Sequence, residues 1–316
     1  YSYDLDLNTS FTGDDNLYVG IEAGNFVAGG FVTENINDIN TDALTITSMY
    51  YSFPLGNFEV AVGPKLENDD LMPTTISKYS DKFYMGTSIL TGADLAAAPG
   101  IDGSGFAIGG AFDNGFNTSV SVIGVEASTA DGFLTNESFD AITLSAGYDG
   151  DNFGIGFIYV DLDDACTLID DLAFEGFTCA DLGVASLDSS TSTLGAYWTP
   201  NDGKTTLSAT YGIVSLDMPG QNIEDIAGIH FGVDHEVGPG VLSAAIKSQE
   251  FSSGAVVNGE VPSESLGSYG EIYYTYDVND SLQIRSGVAF AMPDDEDEGI
   301  FFLDQTAVGA EATFKF

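Results

Sequence analysis

The chain has 316 residues, with 49 Asp and Glu against 7 Lys and Arg, for a formal net charge of −42. So few bases exclude nucleic acid as a partner, because phosphate contacts need Lys and Arg, and they disfavour anionic lipid surfaces. Hydrophobic residues at 44% argue against disorder, and 38 Gly, 22 Phe and 15 Tyr point to many strands, tight turns and aromatic surface.

Apolar residues alternate with polar ones nearly throughout, in runs of about ten. In chain order the predicted strands are Tyr1–Phe11, Asn16–Gly24, Ala43–Phe53, Phe58–Lys65, Ser104–Phe112, Thr118–Ser128, Asp140–Tyr148 and Phe153–Leu162. They continue as Ser190–Trp198, Thr205–Leu216, Asp225–Asp234, Val241–Gln249, Gly267–Asp277, Leu282–Met292 and Thr306–Phe316. Every second joint is short and rich in Gly, Asn, Asp or Pro, as tight turns require: TGDDN, PLGN, DNGFN, DGDN, NDGK, EVGPG and VNDS. The joints between them are longer and acidic, including Glu67–Gly103, Asp163–Leu187, Glu250–Glu264 and Pro293–Asp304.

Short turns at one end and long loops at the other describe an all-β, up-and-down antiparallel barrel that spans an outer membrane. The whole chain, residues 1–316, reads as one such domain. No run approaches the roughly 20 apolar residues of a spanning helix; the longest uncharged stretch, Ala43–Phe58, is broken by Pro54 and Gly56. Fifteen strands are visible, whereas single-chain bacterial barrels have an even number. An outgoing strand is therefore expected before Tyr1, making about sixteen in the full barrel. The last strand places Phe314 and Phe316 in the inner aromatic girdle, as a C-terminal signal for the barrel-assembly machinery.

The scarce bases are the sharpest functional signal. Two-residue alternation puts Glu59 and Lys65 on the lumen side, opposite Phe58, Val60 and Val62. Lys247 and Arg285 follow by the same rule. Lys78 and Lys82 lie in the insertion Glu67–Gly103, too long for a simple loop. That insertion is expected to fold into the lumen at about mid-height and form a constriction lined by Lys65, Lys247 and Arg285. Acids, among them Asp4, Asp6, Glu22, Asp234, Glu271 and Glu311, line the remaining lumen.

Other constellations are weaker. Asp38, Asn40 and Asp42 begin like a calcium loop, but Ala43 and Met49 stand where Gly and Glu are required. Loop calcium through Asp294, Asp295, Glu296, Asp297 and Glu298 is weighed against a solvated acidic run; no other cofactor or metal is expected. Cys166 and Cys179 suit one disulfide in a single outer loop. His230 is expected in the lumen and His235 at a short turn, so catalysis has no partner set.

LNTSFTGDDNLYVGIEAGNF, Leu7–Phe26, resembles a hairpin of the major outer-membrane porins of cyanobacteria, a carbohydrate-selective group often labelled iron-uptake porins. PGIDGSGFAIGGAFDNGFNTSVSV, Pro99–Val122, is similar to their next well-marked hairpin. The resemblance implies a barrel that passes ions and small solutes by diffusion. It also implies an N-terminal surface-layer-homology domain that binds peptidoglycan, which this sequence does not contain. Asp14, Asp15 and Glu22 stand in the first hairpin where the family usually carries Lys or Arg. A homotrimer is expected by analogy with sixteen-stranded porins. The rival readings are a secreted all-β adhesin or surface-layer module and a barrel enzyme.

Overall fold

The computed structural model describes residues 2–25, 40–79, 101–125, 127, 133–135, 138–163, 187–200, 203–217, 225–251, 265–292 and 306–315. These form one antiparallel sheet of fifteen strands, each paired with its neighbours in sequence. The strands are β1 (Ser2–Thr9), β2 (Asn16–Asn25), β3 (Asn40–Leu55), β4 (Phe58–Glu67), β5 (Asp102–Ala111), β6 (Phe116–Gly124), β7 (Asp140–Asp149) and β8 (Phe153–Asp163). They continue with β9 (Asp188–Trp198), β10 (Thr205–Asp217), β11 (Ile226–Val237), β12 (Gly240–Phe251), β13 (Ser265–Asn279), β14 (Leu282–Met292) and β15 (Thr306–Phe314). The fold is the up-and-down β-barrel type of the outer membrane, and the sheet stays open between β1 and β15.

Alternation sorts the side chains onto two faces. On β8, Phe153, Ile155 and Phe157 are 51%, 46% and 43% exposed, while Ile158, Val160 and Leu162, in the alternate positions further along the strand, are buried. In a soluble protein so broad an apolar surface would aggregate; facing lipid it is the required surface. The same outward row carries Leu144 on β7, Leu194 on β9, Ile229 and Phe231 on β11, Ile246 on β12 and Ile272 on β13.

Aromatic rings gather at the short-turn end. Phe58 meets Phe112 edge-on at 5.5 Å, Phe112 stacks with Phe116 at 6.0 Å, and Tyr148 lies 5.7 Å from Phe153. Trp198 and Phe314 stand exposed at the same end. This is an interfacial girdle, where amphipathic rings sit at headgroup level. Phe316 lies outside the described residues. The turns are tight where the sequence supplies glycine: Gly56 and Gly238 adopt φ of 66° and 61°, which residues with a Cβ adopt rarely.

The first turn is fastened by Asp15. Its Oδ1 accepts from the Phe11 and Thr12 N–H groups at 3.0 and 2.7 Å and from the Ser10 and Thr12 hydroxyls at 2.7 and 2.8 Å. Its Oδ2 accepts from the Tyr51 hydroxyl at 2.6 Å. These donors, Tyr51 foremost, hold the carboxyl far below its ordinary pKa.

The alternation rule fails on β4. Its register slips between Gly63 and Leu66 against β5, and between Met49 and Tyr51 against β3. The bulge inverts the faces beyond it. Leu66, fully buried, takes the inner position, and Lys65 is turned away to pair with Asp102. A second difference is β6, which stops at Gly124 instead of reaching Ser128.

Candidate functional site

The inner wall is lined by small polar residues. Asn117, Ser119 and Ser121 on β6 and Thr143 and Ser145 on β7 are buried, as are Thr191 and Thr193 on β9 and Ser208 and Thr210 on β10. They are buried because the chain after β4 folds back over them. Residues 68–79 run along this inner face from β5 to β13 without forming a strand.

The path is fixed contact by contact. Asn68 Nδ2 donates to Thr143 Oγ1 at 3.3 Å, and the Ser121 hydroxyl donates to the Asn68 carbonyl at 2.6 Å. The Thr74 hydroxyl lies 2.8 Å from both Asn117 Oδ1 and Ser145 Oγ. The Lys78 N–H donates to Ser208 Oγ at 3.0 Å. At the far end the Tyr79 hydroxyl donates to Glu271 Oε1 at 2.7 Å. The Tyr79 ring lies 5.2 Å from His230 and 6.2 Å from Tyr273.

Glycines let the two backbones meet. A Cβ on Gly109 would collide with the Leu71 carbonyl, one on Gly156 with the Thr75 carbonyl, and one on Gly195 with the Ile76 carbonyl. One on Gly232 would strike the Tyr79 ring. On β5, β8, β9 and β10 the contacts fall within about three residues of the short turns, some 10 Å at the usual rise. The segment therefore crosses this wall closer to the short-turn end than the expected mid-height. The level is set where the wall lacks side chains.

Above this crossing sits an apolar plug. Leu66, Ile101, Ile123, Phe139, Ile158, Val160 and Leu162 form a buried cluster, with Leu71, Met72 and Ile76 of the segment packed on it. Near the start of the segment, the Asp70 carboxylate accepts the Glu67 N–H at 2.9 Å. Burial raises the pKa values of Asp69 and Asp70. The Tyr79 hydroxyl is likewise pushed well up by burial, and then by the charge of Glu271 beside it.

The expected site residues separate. Lys247 and Arg285 stand on the inner wall, 4% and 7% exposed. Lys247 opposes His230 across β11 and β12. Arg285 opposes Glu311 across β14 and β15, with Nη1 3.6 Å from Glu311 Oε2 and the guanidinium 5.6 Å from the Tyr273 ring. Glu271 is fully buried between Ala245 and Ala289. Lys78 sits on the segment, its Nζ 4.0 Å from the centre of the Tyr197 ring. Glu59 is exposed on β4, well below the bulge. Lys65 does not join the inner wall, for the reason given above. Lys82, Cys166, Cys179 and Asp294 to Glu298 lie outside the described residues.

Tyr79, Tyr273 and the wall glycines were not singled out from the sequence. A signal was available: in FAIGGA, GIGF, TLGAY and HFGV a glycine occupies the inward slot of an alternating strand. A strand wall that repeatedly removes its inward side chains makes room for something. His230 faces the same wall at 7% exposure, and His235 bonds Thr205 Oγ1 at 2.9 Å by the short turn. Among the described residues no cluster of His, Cys, Asp and Glu has metal-binding geometry.

No protein-family model matches the chain, and no curated protein matches it. Solved structures do. An anion-selective porin from Comamonas acidovorans superposes with a TM-score of 0.63 at 15% identity, over 98% of this chain and 85% of that one. OmpT, an outer membrane protein of Vibrio cholerae, in its trimer form gives 0.57 at 14% identity, over 92% and 80%. A triple mutant of the Rhodopseudomonas blastica porin gives 0.54 at 10% identity, over 100% and 89%. At these identities the likeness is one of fold, and the fold is that of the outer-membrane β-barrel porins.

Proposed function

We propose that this chain is an outer-membrane porin, a passive channel for inorganic ions and small hydrophilic solutes. The observation that carries the reading is residues 68–79, fastened across the inner wall from β5 to β13. A barrel emptied of side chains along one level and then crossed by its own chain has a narrowed, fixed lumen. That geometry selects by size and charge and needs no moving part. Among the described residues of this crossing no hydroxyl is hydrogen-bonded to a histidine, so the crossing gives the enzyme reading no support. The exposed apolar face disfavours the secreted adhesin. The trimer form of the Vibrio protein supports a homotrimer here, and the C-terminal strand supports recognition by barrel-assembly machinery. The closer kinship to cyanobacterial porins rests on Leu7–Phe26, and carbohydrate permeation rests on that kinship.

Selectivity follows from two opposed charge sets. Acids dominate the chain, so the wide part of the pore enriches cations. Lys247 and Arg285 line the wall near the crossing, where a narrow passage is screened less. The Debye length falls from about 8 Å at 0.15 M salt to about 3 Å at 1 M. Cation preference at low salt should therefore weaken at high salt. Reversal potentials in a KCl gradient across planar bilayers measure this. A porin with Arg285→Ala should be more cation-selective at high salt than the parent. Absence of any conductance step, or a preference indifferent to both salt and Arg285→Ala, would refute the reading.

A further inference from the structure

The inner wall is covered on one side and open on the other. From β6 to β13 the inward Ser119, Ser145, Thr193, Thr210 and Glu271 are buried. On β1 the inward Asp4, Asp6 and Asn8 are exposed, in alternation with Leu5 and Leu7 of the lipid face. On β2 and β15 the inward Tyr18, Glu22 and Glu311 are half-buried. Residues 68–79 leave β4 toward β13 and are fastened to the covered strands. The wall of β15, β1 and β2 lies on their other side.

On that open wall Asp6 stands at the level of the crossing. It lies about three residues above Thr9, where β1 ends, some 10 Å at the usual rise. The crossing contacts on β5, β8, β9 and β10 fall within the same span of the short turns. The Asp6 carboxylate is held in place. The Tyr18 hydroxyl donates to its Oδ1 at 2.5 Å, and the Tyr18 ring packs 5.1 Å from that of Tyr50. Across the strand pair Asp6 faces Gly20, where a Cβ would stand 3.3 Å from the Tyr18 hydroxyl and 3.1 Å from Thr47 Oγ1. The glycine thus leaves the lane through which the hydroxyl reaches the acid. Hydrogen bonds to a carboxylate are among the strong ones, so Asp6 is fixed although it is exposed. The bases are placed differently: Lys247 and Arg285 are buried, and Arg285 lies 3.6 Å from Glu311.

We propose that ions pass between residues 68–79 and the wall of β15, β1 and β2, and that Asp6, positioned by Tyr18, determines the preference for cations there. The inference rests on the porin reading and adds the side of the lumen that conducts and the residue that selects. A carboxylate beside a narrow aqueous path attracts cations and repels anions. Its charge acts undiminished on an ion passing in contact, since screening sets in over about 8 Å at 0.15 M salt. Tyr18 is a positioning residue: it keeps the carboxylate against the wall at one height, and the hydroxyl itself adds no charge.

The experiment uses the full chain in planar bilayers, with reversal potentials read in a KCl gradient. Asp6→Asn keeps an acceptor for Tyr18 and removes the charge. It should lower the cation-to-anion permeability ratio about twofold or more, because a path lined by one sign of charge concentrates the opposite ion. Tyr18→Phe, which leaves every charge in place, should shift the ratio in the same direction by less. Asp113→Asn, an equal change of charge in a short turn, should leave the ratio that of the parent. The path is tested separately with a bulky thiosulfonate reagent on a Cys166→Ser, Cys179→Ser background. Asn8→Cys should be modified and its conductance should fall, whereas Ser119→Cys, under residues 68–79, should keep its conductance. Channels that conduct but keep the parent ratio in Asp6→Asn, or that are blocked through Ser119→Cys and not through Asn8→Cys, overturn this inference and leave the porin reading standing. Absence of any conductance step in the parent chain overturns both.

Discussion

On β5 to β10 the inner wall meets residues 68–79 through glycines and hydroxyl groups, whereas on β11 to β13 it meets Tyr79 through His230, Glu271 and Tyr273. The first contact is made by backbone against backbone. Gly109, Gly156 and Gly195 are cut away to admit carbonyls, and Ser and Thr hydroxyls satisfy what the segment buries. The second is made by one ring and one hydroxyl in a charged setting. There Gly232 is cut away, for the Tyr79 ring. The contrast teaches that neutral small residues can position a chain inside a pore without adding charge to it. Charge is concentrated on the other wall, where Lys247, Glu271 and Arg285 are buried among neighbours.

The most severe way to break the first contact is Gly195→Val. Its side chain would occupy the place of the Ile76 carbonyl, and overpacking of this kind costs about 1–3 kcal/mol, occasionally more. The segment should lift, single-channel conductance should rise, and the heat-induced mobility shift of the detergent-solubilised barrel should move to lower temperature. Unchanged conductance would show that the segment does not bound the pore.

On the second contact, Tyr79→Phe keeps the ring and removes the hydroxyl that Glu271 accepts. A hydrogen bond to a charged group contributes about 1.5–3 kcal/mol. Stability should fall by about 2 kcal/mol on that basis, and conductance should change less than in Gly195→Val, because the backbone contacts on β5 to β10 remain. A larger conductance change than with Gly195→Val would reverse the assignment of which wall holds the segment.

A milder probe of the first wall is Thr74→Val, which should cost about 1 kcal/mol by leaving Asn117 and Ser145 short of one partner. Combined with Tyr79→Phe, the losses should add within about 0.5 kcal/mol, as independent sites do. The two residues share no hydrogen-bond partner. Coupling well beyond that would mean the segment moves as one body.

The smallest effect lies outside both walls and serves as a control. Asp15 has its pKa lowered in the folded turn, so its contribution is present above its ordinary value of 3.8 and is lost as pH falls below that. Asp15→Asn should lower the unfolding temperature at neutral pH, and the difference should shrink on moving to acid. Conductance should stay that of the parent at either pH.

Much of this architecture was legible in the residues alone. Two-residue alternation and the spacing of Gly, Asn and Asp marked every strand, because a lipid-facing strand must alternate and a tight turn must contain residues that tolerate it. The inward path of the insertion was anticipated from its length. Its level was not, since that depends on which inward slots of β5, β8, β9 and β11 are glycine. Lys65 was misplaced because a bulge adds one residue to one strand, and alternation cannot show against which partner it slips. Gly63 followed by Pro64 was the visible warning.

What the sequence determined by itself is therefore the class of surface: apolar outward, small and polar inward, aromatic at one rim and acidic at the other. These are properties of single strands, set by the period of the chain. What only the tertiary structure decided is which residues meet. Tyr79 reaches Glu271 from 192 positions away, and Asp6 comes to face Gly20, over which the Tyr18 hydroxyl reaches it. Such meetings depend on strand register, a relation between chain segments that no one strand's sequence fixes.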